Sequence, residues 1–535
     1  MPENLEFGST DYGTIDSNSY DEIPYPSHPI EVTHPDHLYS MAKLFRLDAP
    51  IPDNASILEL GCASGGNIIP LAVQMPNANI VGIDLSTRQI AEGQTTVDAL
   101  GLKNIKLIAM DFHGLDVSFE PFDYILCHGV FSWVPHESRL FILKICQSRL
   151  SPNGIAYISY NAYPGWFARG MIRQMMLPYV SQLRDPMTRV QKARAFLAFL
   201  ADSTEGQDTP YSQSLRNEIE LLAKNPDAYL FHEHLEADNQ PFFFYQFMEM
   251  TSGHQLQFLC EAILATMITG NLPPKAVASL KQLTSNLHEQ SQYMDFVTNR
   301  MFRQSLLCHQ DRTLDRVLGP SRLEGGRFAG TFQVDDPNVW NNLLPEIEVI
   351  FKCSNGKTIQ TRDMTLKAML FALTEVWPSS LSAPEICGRI AKKLSTVLFV
   401  GPSEQSSIAN LVNSSMLHMV LRGDLALRFL PDRFAMAVSD NPIASPLARL
   451  QAAQGGSLTT ERHTILNPDP LTRMIVPLLD GTRNKESLGG FIGELAREKQ
   501  LVKTLDNRVV DMDAVQRATL NKILEKLMCS AMLIG

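Results

Sequence analysis

The sequence contains no closely spaced cysteine pair. Its 535 residues include eight cysteines, and no two of them form a C-x-x-C motif. Without such pairs, neither a zinc site nor a disulfide framework is indicated. Several cysteines, such as Cys127 and Cys146, lie inside apolar runs, which is typical of reduced thiols in the core of a cytosolic protein. We therefore expect a cytoplasmic location.

Long apolar runs and clustered positive charge are also absent. No apolar run reaches the roughly 18 residues that suggest a transmembrane helix, so no membrane insertion is expected. The polar, acidic N-terminus lacks the basic and apolar stretches of a signal peptide. A formal net charge of −11 argues against a general nucleic-acid binder, because phosphate contacts need clustered Lys and Arg.

What is present is the composition of a large globular protein. Hydrophobic residues make up 44% and charged residues 19% of the chain, so sizeable cores can form. The length suggests roughly three to four domains. Changes in pattern indicate these parts: an N-terminal segment that we expect to act as a lid (1–45), an α/β domain (46–175), a mainly helical domain (176–318), a mixed α+β middle domain (319–445) and a helical, winged-helix-like C-terminal domain (446–535).

Strand and helix patterns alternate between residues 51 and 165. The strand cores are apolar throughout, with the sequences "SILEL", "NIVGIDL", "IKLIAMD", "FDYILCHGV" and "IAYISYN". Apolar strands joined by helices predict a buried parallel sheet and an α/β fold. Further along, the apolar stretch "LQFLCEAILATMI" (256–268) is predicted to be helical.

A glycine-rich turn follows the first strand in the stretch "SILELGCASGGNIIPLA". The small residues Gly61, Ala63 and Gly65 let the backbone approach a ligand closely, and the following helix offers free N–H groups. The turn alone fits either NAD or S-adenosylmethionine. A carboxylate at Glu59 would repel a pyrophosphate, whereas it could organise the turn around the ammonium group of a methionine. The downstream residues must decide between the two cofactors.

Two acidic residues end the next two strands. Asp84 comes about 20 residues after the turn, where a carboxylate accepts hydrogen bonds from ribose hydroxyls in both kinds of cofactor. Leu85 and Gln89, which follow it, complete the predicted ribose side of the site. Asp111 could accept from an adenine amino group and Phe112 could flank the ring, although a polar loop start is the alternative for Asp111.

The loops after the fourth and fifth strands carry aromatic and polar residues. Ligands bind at the carboxyl ends of such strands, so His128, Gly129 and Trp133 should surround the reacting end of the cofactor, with Tyr160 and Asn161 opposite. We predict His128, Trp133, Tyr160 and Asn161 as catalytic residues and Gly129 as a cofactor contact. Aromatic rings suit a cationic sulfonium or amine. Burial between domains is the alternative for Trp133.

Together these residues resemble a class I S-adenosylmethionine-dependent methyltransferase over residues 50–165. One departure is Ala63, where many members have glycine. The resemblance implies a Rossmann-like sheet of seven strands and S-adenosyl-L-methionine as the cofactor. A dinucleotide oxidoreductase is the weaker reading, which Glu59 opposes.

A closer resemblance extends from about residue 20 to 310. The stretches "YDEIPYPSHPIEVTHPDHL", "CHGVFSWVP", "YNAYPGWFARGMIRQMM" and "LFHEHLEADNQPFFFYQF" are similar to bacterial methyltransferases with a methyltransferase regulatory domain. That family includes rickettsial lysine methyltransferases that modify an outer-membrane protein. The resemblance implies methylation of lysine side chains in a protein substrate, and we add Tyr25 and His34 to the predicted cofactor contacts. A methyltransferase for a small metabolite and a non-catalytic cofactor-binding scaffold are the alternatives, and a homodimer is left open.

The sequence "HEHLE" departs from a zinc motif. In H-E-x-x-H two histidines one helical turn apart bind zinc, but the fifth residue here is Glu236. In a strand, His232, His234 and Glu236 would share a face and could bind a metal, yet such clusters more often form hydrogen-bonded contacts. We therefore predict no metal, and expect Glu233 or Glu236 to orient an acceptor ammonium.

Overall fold

The computed structural model describes residues 27–115, 119–498 and 512–535. A seven-stranded sheet lies at its centre, with strand order β3-β2-β1-β4-β5-β7-β6. Strands β1 to β5 pair in parallel, and β7 pairs antiparallel with both β5 and β6. The predicted Rossmann-like α/β sheet of seven strands is confirmed. The strands are β1 (Ser56–Leu60), β2 (Asn79–Asp84), β3 (Ile105–Ala109), β4 (Phe122–Cys127), β5 (Leu150–Asn161), β6 (Leu256–Glu261) and β7 (Phe302–His309).

Helices cover both faces of this sheet, which explains why its strands are apolar on both sides. The strand order reverses between β1 and β4, and ligands bind in such sheets where the order reverses. The loops after β1, β2 and β4 therefore meet at one edge. The helices of this part are α1 (Pro35–Leu44), α2 (Ile68–Gln74), α3 (Thr87–Leu100) and α4 (His136–Arg149).

The part predicted to be mainly helical also supplies the last two strands of the sheet. The helical prediction for 256–268 is wrong at its start, because β6 occupies Leu256–Glu261. Strand β6 is buried and pairs with β7, and Phe244 of the preceding helix packs on its Phe258, so tertiary packing decided its conformation. The helices here are α5 (Trp166–Val180), α6 (Pro186–Ser203), α7 (Pro210–Lys224), α8 (Asp227–Leu230), a π-helical turn (Phe231–Leu235), α9 (Phe244–Gly253), α10 (Pro274–Leu283) and α11 (Leu287–Thr298).

The remaining parts contain small antiparallel sheets. One hydrophobic core continues from α1 and one face of the central sheet into the middle region, and a separate core fills the C-terminal region. In the described part of the chain, no helix combines the length and the apolar content needed to cross a membrane. The elements are β8 (Arg327–Ala329), β9 (Phe332–Val334), β10 (Val349–Cys353), β11 (Thr358–Thr361), α12 (Met364–Val376), β12 (Leu381–Ser382), α13 (Ala383–Leu394), α14 (Pro402–Arg422), β13 (Ala426–Arg428), α15 (Pro446–Ala453), β14 (Leu458–Thr459), β15 (Ile465–Leu466), α16 (Pro470–Ile475), α17 (Lys485–Glu498) and α18 (Met512–Cys529).

Candidate functional site

The turn after β1 has the tight backbone that its small residues predict. Gly61, Ala63 and Gly65 all have positive φ angles, of 75°, 49° and 76°. A Cβ atom on Gly61 would lie 2.4 Å from Cγ2 of Val130, which belongs to the loop after β4. Glycine is needed at this position because the two loops approach each other so closely.

The carboxylate of Asp84 lies between two loops. Its Oδ2 accepts a hydrogen bond from the Ala63 N–H at 2.8 Å, and its Oδ1 accepts from the Ser86 N–H at 2.9 Å. The carboxylate thus connects the glycine-rich turn to the start of α3. Beside it, Leu85 has an exposed side chain, whereas Gln89 is buried in the first turn of α3.

Glu59 is a buried carboxyl with one oxygen in use. Its Oε1 accepts from Asn67 Nδ2 at 2.7 Å, whereas Oε2 is buried and has no hydrogen-bond partner among the described residues. Burial raises the pKa of Glu59 to about 8, although the Asn67 hydrogen bond acts in the opposite direction. An unpaired buried carboxyl oxygen costs free energy unless a donor reaches it. A ligand ammonium beside the glycine-rich turn would supply that donor.

His34 lies one layer behind the turn. Its Nδ1 accepts from the Asp36 N–H at 3.1 Å, so it caps α1, and its Nε2 lies 3.0 Å from Oε1 of Gln74 on α2. Burial lowers the pKa of His34 well below its usual value, so the ring is neutral. Both ring nitrogens therefore have protein partners, and the residue fastens the N-terminal segment to α2. Tyr25 lies outside the described residues.

Asp111 ends β3 with a partly exposed carboxylate. Its Oδ1 accepts from the His113 N–H at 2.9 Å and lies 2.6 Å from His113 Nδ1. Partial burial would raise the pKa of Asp111, but the hydrogen bonds from His113 outweigh it and lower the pKa. Phe112 is mostly buried and stacks on His113, with ring centroids 5.0 Å apart. Asp111 stays an ionised acceptor at the edge of the same crevice.

His128 begins the loop after β4 as a neutral imidazole. Its Nδ1 lies 2.8 Å from the Tyr157 hydroxyl, which accepts from Gln304 Nε2 at 2.9 Å. This leaves the Tyr157 hydrogen to donate to His128 Nδ1 and favours the tautomer with hydrogen on Nε2. Burial lowers the pKa of His128 to about 4. The next residue, Gly129, has a φ of 68° and donates its N–H to Ser159 Oγ at 2.8 Å.

Trp133 lies in the loop after β4 and Asn161 ends β5, so both lie at the edge of the sheet where the crevice is expected, which we call the opening. Trp133 is partly exposed and meets Trp166 edge-on, with centroids 6.1 Å apart. Asn161 donates its N–H to Ser132 Oγ at 2.9 Å and its Nδ2 to Asn239 Oδ1 at 3.3 Å. These contacts join the loops after β4 and β5, as the prediction of one site requires.

Tyr160, by contrast, lies in the core. Its ring is only 1% exposed and stacks on Phe247 at 4.1 Å between centroids. The alternation of side chains along β5 turns Tyr160 away from the opening that Asn161 borders. In this position Tyr160 supports the sheet beneath the site.

A segment far along the chain completes the opening. Gln240 donates its N–H to the Ser132 carbonyl at 2.8 Å, and Phe242 donates its N–H to the Asn161 carbonyl at 2.9 Å. Sequence reasoning missed this segment because nothing local marks a pairing partner some 80 residues away. It also missed Asn67, although this polar residue directly follows the glycines at the start of α2, where a ligand-facing side chain could have been suspected.

The "HEHLE" cluster forms a π-helical turn and not a strand. In it, His232 Nδ1 lies 3.0 Å from Glu236 Oε1, and His234 is fully buried. The shared face that a strand would give His232, His234 and Glu236 is therefore wrong. Within the ranges that the structure describes, no group of three His, Cys, Asp or Glu side chains could hold a metal ion.

Comparisons with known proteins identify the parts of the chain. Three family models match the chain: a methyltransferase domain over residues 57–154, a predicted methyltransferase regulatory domain over residues 226–309, and the PKMT C-terminal winged helix domain over residues 440–531. The last match confirms the winged-helix character expected near the C-terminus. The regulatory-domain match contains the segment at 239–243 that completes the opening.

One relative and one solved structure match over nearly the whole chain. An uncharacterized protein of Rickettsia prowazekii is 35% identical over 534 residues, which cover 98% of this chain and 95% of the relative. A second uncharacterized protein of that organism is 40% identical over 45% of this chain and 96% of its own length. The structure of PKMT2 from Rickettsia typhi has a TM-score of 0.85 at 29% identity, and the match covers 96% of this chain and 100% of that one.

The residues at the crevice fit S-adenosylmethionine. A second structure of PKMT2, in complex with AdoHcy, matches with a TM-score of 0.84. Here the unpaired Oε2 of Glu59 would hold the ammonium of the methionine part, and Asp84 would hold the ribose. The chain is an enzyme that uses S-adenosylmethionine, and it belongs to the family of S-adenosylmethionine-dependent methyltransferases that carry a methyltransferase regulatory domain and a PKMT winged helix domain.

Proposed function

We propose that this methyltransferase transfers methyl groups to lysine side chains of a protein. The observation that carries the proposal is the similarity to PKMT2, a protein lysine methyltransferase, across 96% of the chain. A match confined to the cofactor domain would leave the acceptor open, because many methyltransferases share that domain. Here the similarity includes the parts that border the opening and the parts beyond it.

An aromatic surface beside the opening supports a polypeptide acceptor. Tyr163 stacks on Phe167 at 4.4 Å between centroids and lies 5.2 Å from Phe243, which in turn stacks on Tyr245 at 5.6 Å. Phe167 and Tyr245 are 56% and 53% exposed. Such a patch of exposed aromatic rings is typical of a surface that binds another chain. A small metabolite would need only the opening itself.

The chain's own residues would prepare the lysine for reaction. Bound S-adenosylmethionine supplies an electrophilic methyl group on a sulfonium. A lysine ammonium has an ordinary pKa of about 10.4, and it must lose a proton to water before its nitrogen can attack. Trp133 and the neighbouring rings would exclude water and so lower that pKa. His128 would offer a hydrogen-bond donor, its Nε2–H, because Tyr157 occupies its Nδ1. The loops after β4 and β5 would align the nitrogen with the methyl group.

Two further features agree with a protein acceptor in the cytoplasm. The eight cysteines are free thiols, and six of them are buried, as suits a reducing compartment. The net charge of −11 disfavours a nucleic-acid acceptor and suits a lysine-rich polypeptide. We therefore propose a cytoplasmic enzyme that methylates lysines of a protein.

A labelled-methyl transfer assay tests the proposal. Purified enzyme and S-adenosylmethionine with a labelled methyl group are added to lysate of the source cells, which is then separated into protein and small-molecule fractions. We expect label in discrete protein bands that hydrolyse to methyl-lysine. An Asp84→Ala variant serves as the inactive control. Label confined to the small-molecule fraction would overturn the lysine proposal and favour a metabolite acceptor.

Replacing Trp133 by alanine should separate methyl transfer from cofactor binding. The partly exposed ring meets Trp166 edge-on at the opening, whereas Glu59 and Asp84 belong to β1 and β2. We expect kcat to fall by about 10- to 100-fold, as for the loss of a desolvating and positioning group, while S-adenosylhomocysteine binds as in the wild type. Trp340→Ala is the matched control, because that tryptophan packs on Phe371 in the middle region. Unchanged turnover in Trp133→Ala would contradict the assignment.

Cofactor affinity should increase with pH below pH 8. Burial raises the pKa of Glu59 to about 8, so the free enzyme holds this carboxyl protonated at pH 6. Pairing with the ligand ammonium requires the carboxylate, so binding releases a proton, and affinity rises as pH approaches 8. We expect about a tenfold gain in S-adenosylhomocysteine affinity per pH unit between pH 6 and 7, and a smaller gain from there to pH 8. Above that range the ligand amine itself loses its proton.

Calorimetric titration in two buffers of different ionisation enthalpy measures this release directly. Close to one proton should leave per ligand bound at pH 6.5. In a Glu59→Gln variant the slope should vanish along with much of the affinity. A wild-type affinity that does not change with pH would show that Glu59 is already ionised in the free enzyme.

A further inference from the structure

The C-terminal region touches the cofactor site through a β-hairpin. We call residues 458–466 the wing, because they comprise β14, a tight turn and β15. The turn is closed by the Thr460 N–H, which donates to the Thr464 carbonyl at 2.9 Å, and by the His463 N–H, which donates to the Thr460 carbonyl at 2.9 Å. The Glu461 N–H donates to the Ala531 carbonyl at 2.8 Å and so fastens the wing to the end of the chain.

His463 lies at the tip of this turn in an unusual conformation. Its φ is 61°, in the left-handed region that residues other than glycine seldom adopt, and its side chain is 0% exposed. Residues are held in such conformations when their surroundings demand it, often at functional sites. Burial lowers the pKa of His463 to about 3, so the ring is neutral.

The ring of His463 reaches a residue of the cofactor site that is 396 positions away in the chain. Its Nε2 lies 2.8 Å from Oδ1 of Asn67, and the ring meets His34 edge-on at 5.4 Å. Asn67 Oδ1 is an acceptor, so the His463 Nε2–H is the donor. The contact lies behind the glycine-rich turn.

Both the oxygen and the nitrogen of the Asn67 side-chain amide form hydrogen bonds. Its Oδ1 also accepts from the Ile30 N–H at 2.8 Å, and its Nδ2 donates to Glu59 Oε1 at 2.7 Å and to Thr33 Oγ1 at 3.0 Å. This pattern allows only one orientation of the amide, with nitrogen toward Glu59. It leaves Oε2 of Glu59 available to a ligand ammonium.

Further contacts keep the wing in place. Thr460 and Gln74 approach each other across the same interface, and Arg433 donates to the Gln74 carbonyl at 2.7 Å and pairs with Asp53. Arg462 lies over the Trp377 ring at 4.7 Å and donates to the Pro378 carbonyl. The wing thus meets α2 at Gln74 and the middle region at Trp377 and Pro378, and its contact through His463 is the one that leads to Glu59.

We propose that His463 is a positioning residue for the cofactor: the wing holds the Asn67 amide, and through it the Glu59 carboxyl, in the orientation that binds the methionine part of S-adenosylmethionine. The C-terminal region then forms part of the cofactor site, whatever the methyl acceptor is. Loss of the contact would remove one of the donors to Asn67 Oδ1, so the amide would be held less firmly by the remaining hydrogen bonds to Ile30, Thr33 and Glu59.

Four variants of the full-length enzyme test this proposal. His463→Ala and His463→Phe remove the donor, and the phenylalanine ring retains the packing against His34. His463→Gln retains a donor at a similar reach. Ile465→Ala changes an exposed side chain on the same wing and serves as the matched control. Calorimetric titration with S-adenosylhomocysteine gives the Kd of each variant, and thermal unfolding without ligand reports on the fold.

We expect the Kd and the KM for S-adenosylmethionine to rise about tenfold in His463→Ala and His463→Phe, with kcat and the acceptor KM nearly unchanged. His463→Gln should recover affinity to within about threefold, and Ile465→Ala should match the wild type. If His463→Ala fails to fold, His463→Phe decides. A wild-type Kd in a folded His463→Phe, or a His463→Gln as weak as His463→Phe, would overturn the proposal.

Discussion

Replacing Asp84 by alanine is expected to weaken cofactor binding by about 100-fold or more. The carboxylate would accept hydrogen bonds from the ribose, and each such charge-assisted bond contributes roughly 1.5–3 kcal/mol. The same oxygens accept the Ala63 and Ser86 N–H groups, so their loss also releases the glycine-rich turn from α3. Calorimetric titration with S-adenosylhomocysteine measures the effect, and methyl transfer should cease at ordinary cofactor concentrations.

Two controls separate charge from position in this experiment. Asp84→Asn keeps one acceptor oxygen and most of the shape, so we expect a smaller loss of affinity than in Asp84→Ala. Glu92→Gln alters an exposed carboxylate that pairs with Arg88 on α3, and it should bind as the wild type does. Equal affinity of Asp84→Ala and the wild type would mean that the crevice at the end of β2 does not hold the ribose.

The sequence predicted those parts of the fold whose signals are local. The largely apolar stretches 57–60 and 80–83 are buried strands that pair with each other, as their composition indicates. The stretch beginning at Leu256 was misread because a short apolar run has no periodicity that separates strand from helix. Its conformation depends on pairing with β7, some 45 residues later, and no local pattern encodes that pairing.

The residues of the site also divide into those with a local sequence signal and those that depend on long-range packing. Glu59, Asp84 and the glycine-rich turn are predicted from the sequence because backbone geometry and ligand charge require these residue types at fixed spacing. Nothing in the sequence links His463 to Asn67, since the contact exists only once the C-terminal region packs on α2. Tyr160 is a residue that the sequence wrongly places at the opening. It lies near the end of β5, as predicted, but its side chain points into the core.

A buried ion cluster supports the site from below, and it connects to His128. Arg303 on β7 bonds to Glu261 at 2.6 Å and to Asp295 at 2.8 and 2.9 Å. The adjacent Gln304 donates its N–H to Glu261 at 3.1 Å and its side chain to the Tyr157 hydroxyl. The cluster therefore orders the hydrogen-bond chain that ends at His128 Nδ1.

Replacing Arg303 by methionine should destabilise the fold by about 3–5 kcal/mol, the usual cost of leaving a buried charge without its partner. Arg303 is 2% exposed and lies over the Phe244 ring at 3.8 Å, so it also joins α9 to β7. Without the guanidinium, burial would raise the pKa of Glu261, which Arg303 now holds below its usual value. Urea unfolding of the free enzyme measures the loss.

A variant of a surface arginine serves as the control for Arg303→Met. Arg312→Met removes an exposed pair with Asp311, and because water screens such pairs, the unfolding midpoint should stay unchanged. Adding Glu261→Gln to Arg303→Met should recover part of the lost stability, since Glu261 loses its ion-pair partner in the single variant, whereas Asp295 keeps Arg300. If Arg303→Met alone were as stable as the wild type, the two carboxyls would have to be protonated in the native state, and the double variant would then gain nothing. The expected recovery therefore distinguishes an ion cluster that holds β7 against α11 from carboxyls that merely share a polar cavity.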